Sequence, residues 1–372
     1  MISRRIFNER LCKTAVLSAA SAWGFEPASM SLREIAADKS LLAGSAVSFA
    51  ELQRPDFTSL LAQQANIVVS ENDMKWEKIH PEPDRFNYSR ADALLKFAKE
   101  HRQQLRGHNL CWHQQLPPWF KQSATPRNAA DLLQRHITEV AGHFASQIHS
   151  WDVVNEAVQV EDGRPDGLRN SPWLQLIGPQ YIEIAFRTAS KADEHALLTY
   201  NDYDLEQAGP KHEAKRQAVL QLLTTLRNRD VPINALGLQS HLKANVKAYD
   251  WTGLQNFLEK VERLGLQVFV TELDVNDSDL PGDITERDRA VGELYRDYLK
   301  NVLQHSSVKA VLTWGLTDKD TWLNSFSPRR DRLPQRSLPF DEALKPTPAF
   351  YAMRDAISAT AARPHWQRQL HN

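Results

Sequence analysis

Two glutamates sit where glutamates are expensive to keep. Glu156 closes the apolar run Trp151-Asp152-Val153-Val154-Asn155-Glu156-Ala157, and Glu272 stands inside Gln267-Val268-Phe269-Val270-Thr271-Glu272-Leu273-Asp274-Val275. The aromatic and β-branched content of both runs reads as buried strand. Burying a polar group without a compensating bond costs about 2–7 kcal/mol. An acid at such a strand end is therefore either paired with a base or held for chemistry, where its pKa can rise. For one strand alone the two readings are level. Two strands that each deliver a glutamate to one rim are the minimum equipment for splitting a glycosidic bond, one acid as proton donor and one as attacking group. Strand alternation puts Val268, Val270, Glu272 and Asp274 on one face.

The elements that must position these acids alternate along the chain. Strand-like runs fall at Leu41 to Phe49, Asn66 to Ser70, Gln104 to Trp112, Trp151 to Glu156, Ala196 to Tyr200, Ala235 to His241, Gln267 to Val275 and Val308 to Trp314. Helical spacing fills the intervals, most clearly over Ala129 to Phe144, where Leu132, Leu133, His136, Ile137, Val140 and Phe144 form one stripe. Eight strand and helix units predict an α/β chain folded as a single (β/α)8 TIM barrel. Nearly every strand ends in groups unsuited to a core: Glu71, His113, Glu156, Asn201, His241, Glu272, Asp318. In a barrel those ends converge on one face, where barrel enzymes keep their active sites.

Composition narrows the function. The 372 residues carry a net charge of −1, which gives no bulk attraction to nucleic acid or to an anionic membrane. No later run is long and apolar enough for a membrane anchor. Ten tryptophans are a high count, and aromatic faces commonly grip ring surfaces. The two cysteines, Cys12 and Cys111, cannot build a structural zinc site, and nothing in the sequence asks for a metal or a cofactor. Residues 1–29 are expected to be an export signal. Arg4 and Arg5 precede a mildly apolar run, Ala15 to Phe25, in a Ser-Arg-Arg-x-Phe pattern of twin-arginine type, which predicts a periplasmic or extracellular enzyme. The catalytic domain is then expected over 30–360, with a polar tail at 361–372.

Seven segments in order resemble one known family. Trp151–Ala157 and Thr271–Val275 are similar to the two catalytic strands of the family 10 glycoside hydrolases, the endo-β-1,4-xylanases. Glu71-Asn72-Asp73-Met74-Lys75-Trp76, Gly107–His113 with Gln115, Asn201-Asp202-Tyr203, Gly237–His241, and Trp314 with Trp322 match the family's other strand-end motifs. The likeness runs over essentially all of Leu32 to Ala359, and no single motif carries it.

The resemblance implies roles. Glu156 is the expected general acid/base and Glu272 the nucleophile, in a retaining double displacement on xylan or xylooligosaccharides by a monomer. His241 would hydrogen-bond Glu272, and Asp274 would fix the tautomer of that ring. Asn155 would donate to the sugar 2-hydroxyl. Glu71, Asn72, Lys75, His108 and Gln115 would bind sugar hydroxyls on the non-reducing side. Trp112, Trp314 and Trp322 would line the floor and wall, with Tyr203 and Gln239 completing the binding set. Each has a plainer reading: a satisfied core histidine for His241, a solvated loop for Lys75, core packing for any one tryptophan. Trp314 and Trp322 flank the polar loop Thr317–Thr321, which favours the rim.

Alternation puts His108 on one face with Leu110 and Trp112, and turns Asn109 and Cys111, which depart from the family pattern, toward the helix layer. Arg329, Arg330, Arg332 and Arg336 read as a solvated charge run that could also meet acidic substituents on xylan. The rival readings are a catalytically dead sugar-binding relative, against which both glutamates speak, and a barrel enzyme cleaving β-1,4-glucan. The narrow mouth of an eight-stranded barrel brings two inward glutamates toward the separation of about 5–5.5 Å that retention requires.

Overall fold

The computed structural model describes residues 30–246 and 248–364. The export signal expected over 1–29 lies outside the described residues, as does the tail beyond Pro364. Nine strands appear among the described residues: β1 Leu42–Val47, β2 Ile67–Ser70, β3 Gln104–Cys111, β4 Ser150–Asn155, β5 Leu197–Asp202, β6 Ala235–Leu238, β7 His241–Lys243, β8 Gln267–Asn276 and β9 Val308–Thr313. All pairings between them are parallel, β1 with β2 and β9, and β6 with β5 and β8. Eight strands therefore close into the expected (β/α)8 barrel. The ninth, β7, pairs only with β8 and is the detached end of the sixth strand. The break falls at Ser240, whose φ of 63° lies in the left-handed region. Helices follow the strands as the periodicity predicts, and the helix expected over Ala129 to Phe144 spans Ala129–His143. Among the described residues no helix is long and apolar enough to cross a membrane.

Two apolar clusters hold the barrel. Ala46, Ile67, Val69, Leu197, Ala235, Phe269, Ala310 and Leu312 fill its interior. Val47, Val68, Leu105, Trp151, Leu198, Leu236, Val268, Val270 and Val311 face the helices instead. Gly107 is what lets β3 lie beside Trp151, since a Cβ there would come within 2.1 Å of the indole ring.

Alternation holds along most of each strand and fails at the mouth. Register shifts interrupt the ladders between His108 and Cys111, between Asp152 and Val154, and between Val270 and Leu273. A bulge turns the residues beyond it to the other face. Val268 and Val270 accordingly pack against helices, whereas Glu272 and Asp274 point into the mouth, so the four do not share a face. Leu110 packs in the outer layer, on the face opposite His108. Asn109 does not turn outward: its amide nitrogen lies 3.3 Å from His108 Nε2. Cys111 is buried in the helix-facing cluster, as expected.

Candidate active site

The mouth is wired by one amide. Asn201, fully buried at the end of β5, donates through Nδ2 to Glu272 Oε1 at 2.7 Å and to Asn155 Oδ1 at 2.9 Å. Its own Oδ1 accepts from Thr271 Oγ1 at 2.7 Å. Room for this amide comes from Gly237 on β6, where a Cβ would sit 2.2 Å from Asn201 Oδ1. The bulge in β8 aims both Thr271 and Glu272 at Asn201.

Glu272 is built to stay ionised. Its Oε2 lies 3.2 Å from His241 Nε2, and His241 Nδ1 lies 2.9 Å from Asp274 Oδ1. Trp322 Nε1 donates to Asp274 Oδ2 at 2.7 Å, so the relay is anchored at its far end. Burial alone would push the Glu272 carboxyl up; the His241 hydrogen bond and the charges around it win and hold it at about 2. Burial likewise acts against a charged His241, but Asp274 and Glu272 carry that ring up to about 10. The pair is thus a carboxylate beside an imidazolium.

Glu156 is built the other way. It follows β4 at φ 57°, a conformation that costs a non-glycine residue about 1–2 kcal/mol. Its amide donates to Asn201 O at 2.8 Å. Gln239 Nε2 donates to Glu156 Oε1 at 3.0 Å, and Asn155 Nδ2 approaches the same oxygen at 3.3 Å. Burial raises the pKa of this carboxyl; the hydrogen bond from Gln239 opposes the shift, and the charges of Asp202 and Glu272 add to it. His113 Nδ1 stands 3.9 Å from Oε2, and burial with the nearby Arg169 charge drops that ring to about 3, so it is neutral.

The remaining expected residues surround this pair. Glu71 accepts from Asn72 Nδ2 at 3.0 Å, and Lys75 Nζ donates to Asn72 Oδ1 at 2.9 Å. The Lys75 ammonium lies over the rings of Trp112 and Trp314, at 5.1 and 5.6 Å. Burial lowers its pKa, while Glu272, Glu71 and Glu156 work to keep the charge. His108 is held through Nδ1 by Asp152 Oδ2 at 2.9 Å, and its Nε2 lies 3.3 Å from Asn109 Nδ2. Trp314 is only 7% exposed, so it forms a wall from within and not an open rim. The Trp322 ring lies tilted against His241, with centroids 5.0 Å apart. Tyr203 accepts from Arg169 Nη2 at 2.7 Å. Gln115 is the exception: it sits on the loop after β3, and its side chain makes no hydrogen bond to the described residues.

This chemistry belongs to glycoside cleavage, and similarity decides the family. Residues 31–356 match glycosyl hydrolase family 10. The chain is a family 10 glycosyl hydrolase. The family 10 chain is 34% identical over 302 residues to endo-1,4-beta-xylanase B of Thermotoga neapolitana, covering 81% of this chain and 83% of that one. It is 36% identical over 335 residues to exoglucanase XynX of Acetivibrio thermocellus, where it spans 85% of itself but only 28% of the relative. The crystal structure of xylanase 10B from Thermotoga petrophila in complex with xylobiose superposes with a TM-score of 0.80 at 34% identity, over 88% of this chain and 97% of that one.

Several residues of this family 10 site escaped the sequence reading. Asn201 stands among the strand-end polar groups and in a motif but is given no role there, yet it joins the two halves of the mouth. Asp152 was hidden in the run before Glu156, where it pairs with Arg106 inside the barrel and orients His108. Lys215, on a helix distant in sequence, lies 2.8 Å from Asp202 and 3.6 Å over the Tyr203 ring. The arginine loop also differs from a solvated run. Arg329 is buried and donates to the carbonyls of Asp277 and Leu280, and Arg336 pairs with Asp288. Only Arg330 and Arg332 are exposed.

Proposed function

We propose that this chain hydrolyses internal β-1,4-xylosidic bonds of xylan with retention of configuration. The observation that carries the reading is the opposite tuning of two carboxyls at one mouth, Glu272 held at about 2 and Glu156 raised. A pair pushed apart in this way divides the labour of base and acid.

In this reading the Glu272 carboxylate attacks the anomeric carbon while protonated Glu156 gives its proton to the departing oxygen. The C–O bond of the leaving group breaks as the ester to Glu272 forms. Glu156, now ionised, takes a proton from water, whose oxygen attacks the same carbon and releases Glu272. Asn155, its carbonyl oxygen held by Asn201 and Gln239, presents its amide nitrogen to the sugar 2-hydroxyl. His241 keeps Glu272 charged and oriented. Glu71, Asn72, Lys75, His108 and Gln115 bind hydroxyls on the non-reducing side, and Trp112, Trp314 and Trp322 supply apolar faces for the rings. Export by the twin-arginine route belongs to the same reading and rests on Arg4, Arg5 and the apolar run behind them.

Xylan as substrate is supported by the family and by the named activity of the Thermotoga relative. The exoglucanase name of the Acetivibrio relative keeps β-1,4-glucan as the second reading. Kinetics on xylooligosaccharides and cellooligosaccharides of equal length separate them. The two sugars differ by one hydroxymethyl group per ring. Rejection of a single small group is worth about 10–200-fold in kcat/KM, and a preference of that order for the xylo series is expected. Equal rates, or preference for the cello series, would replace xylan by glucan.

A further inference from the structure

Glu156 can serve as an acid only if its carboxyl is aimed, and the backbone that aims it is unusual. A left-handed glutamate does not hold itself: the φ of 57° has to be fixed from outside. On its amino side the Glu156 amide donates to Asn201 O at 2.8 Å. On its carbonyl side the partner is Arg169, whose Nε donates to Glu156 O at 2.7 Å.

Arg169 reaches this point because the chain doubles back after β4. Gln159 N donates to Gly167 O at 2.8 Å, Val158 bridges Leu168, and Arg169 N donates to Ala157 O at 2.7 Å. The return limb of this hairpin lays Arg169 alongside the turn. A second nitrogen of the guanidinium is also engaged: Nη2 donates to Tyr203 Oη at 2.7 Å and lies 3.4 Å from Gln159 Oε1. One planar group therefore spans the backbone of Glu156 and the phenol of Tyr203.

We propose that Arg169 is a positioning residue for the acid/base carboxyl, locking the turn that points Glu156 into the mouth and fixing it relative to Tyr203. The proposal rests on the reading of Glu156 as general acid/base. A rigid fork suits this task because it presents separate N–H donors in fixed directions, which a single ammonium cannot do. Arg169 touches no reacting atom; it acts through the peptide of the residue that does.

The test uses the full chain with the substitutions Arg169→Gln, Arg169→Lys and, in parallel, Glu156→Gln, on aryl β-xylobiosides whose leaving groups range from phenol to 2,4-dinitrophenol. Misplacing a catalytic group by about 1 Å can cost about 10²-fold, and a loss of that order in kcat/KM is expected for both Arg169 variants on the phenyl substrate. On the dinitrophenyl substrate, whose departure needs no proton, the loss in kcat/KM should be only a few-fold, while kcat and KM fall together because breakdown of the ester still needs the base. A merely structural role would lower both substrates together. Arg169→Lys keeps a cation and is the variant that decides if Arg169→Gln does not fold. Equal losses across the leaving groups, or none in either folded variant, overturn the proposal while a leaving-group-selective Glu156→Gln leaves the acid/base reading standing. If Glu156→Gln shows no selectivity, the acid/base reading falls and takes the proposal with it.

Discussion

Glu272→Ala is expected to abolish turnover of every glycoside, whatever its leaving group, while the barrel stays folded. Removing a nucleophile that forms a covalent intermediate eliminates the pathway and not merely one contribution to it, and losses on the order of 10⁵-fold or more are the scale for such groups. The fold should survive because each side chain that Glu272 holds keeps a second partner. Asn201 Nδ2 keeps its bond to Asn155 Oδ1, and His241 keeps Asp274, itself held by Trp322. Kinetics on xylan and on activated aryl glycosides, with thermal unfolding as control, check this. Residual activity above about a hundredth of wild type, well over what loss of a nucleophile leaves, would remove Glu272 from that role.

Glu156→Gln is expected to divide substrates by their need for a proton. General acid catalysis contributes about 10²–10⁴-fold, so kcat/KM on xylan and on phenyl glycosides should fall by that order, with far smaller losses on dinitrophenyl glycosides. The pH profile of kcat/KM should change in a defined direction. Glu272 must be ionised and is held at about 2, so the acidic limb lies far below the usual carboxylate range. Glu156 must be protonated and burial raises its pKa, so the alkaline limb lies above that range. In the glutamine variant the alkaline limb assigned to Glu156 should vanish. A limb unchanged in position would assign it to another group.

Much of this was legible in the sequence, for reasons that can be located. The eight barrel strands are short apolar runs bounded by helical periodicity, and they fall within a few residues of their expected places. The short helices at Pro118–Ser123 and Pro172–Ile177 were not anticipated, although both open with a proline at the first helical position, a usable signal. Side-chain direction was legible only below the mouth. Beyond the bulges in β3, β4 and β8 alternation no longer tells which face a residue takes, and this is where Asn109, Glu272 and Asp274 lie. Residues acting directly at the mouth carried a signal because an acid or amide at a strand end has no structural excuse. Arg169 and Lys215 carried none, since an arginine in a loop and a lysine on a helix are ordinary until a long side chain is seen to reach the site.

The central claim, double displacement through an ester on Glu272, is tested most directly by the stereochemical course of the wild-type reaction. Proton NMR of a xylooligosaccharide hydrolysis, followed over the first minutes before mutarotation, reports which anomer is released. Two inversions at one carbon return the starting configuration, so the β-anomer of the new reducing end should appear first and the α-anomer only as equilibrium is approached. First appearance of the α-anomer would mean that water attacks the sugar directly, with Glu272 acting as a base, and would contradict the account.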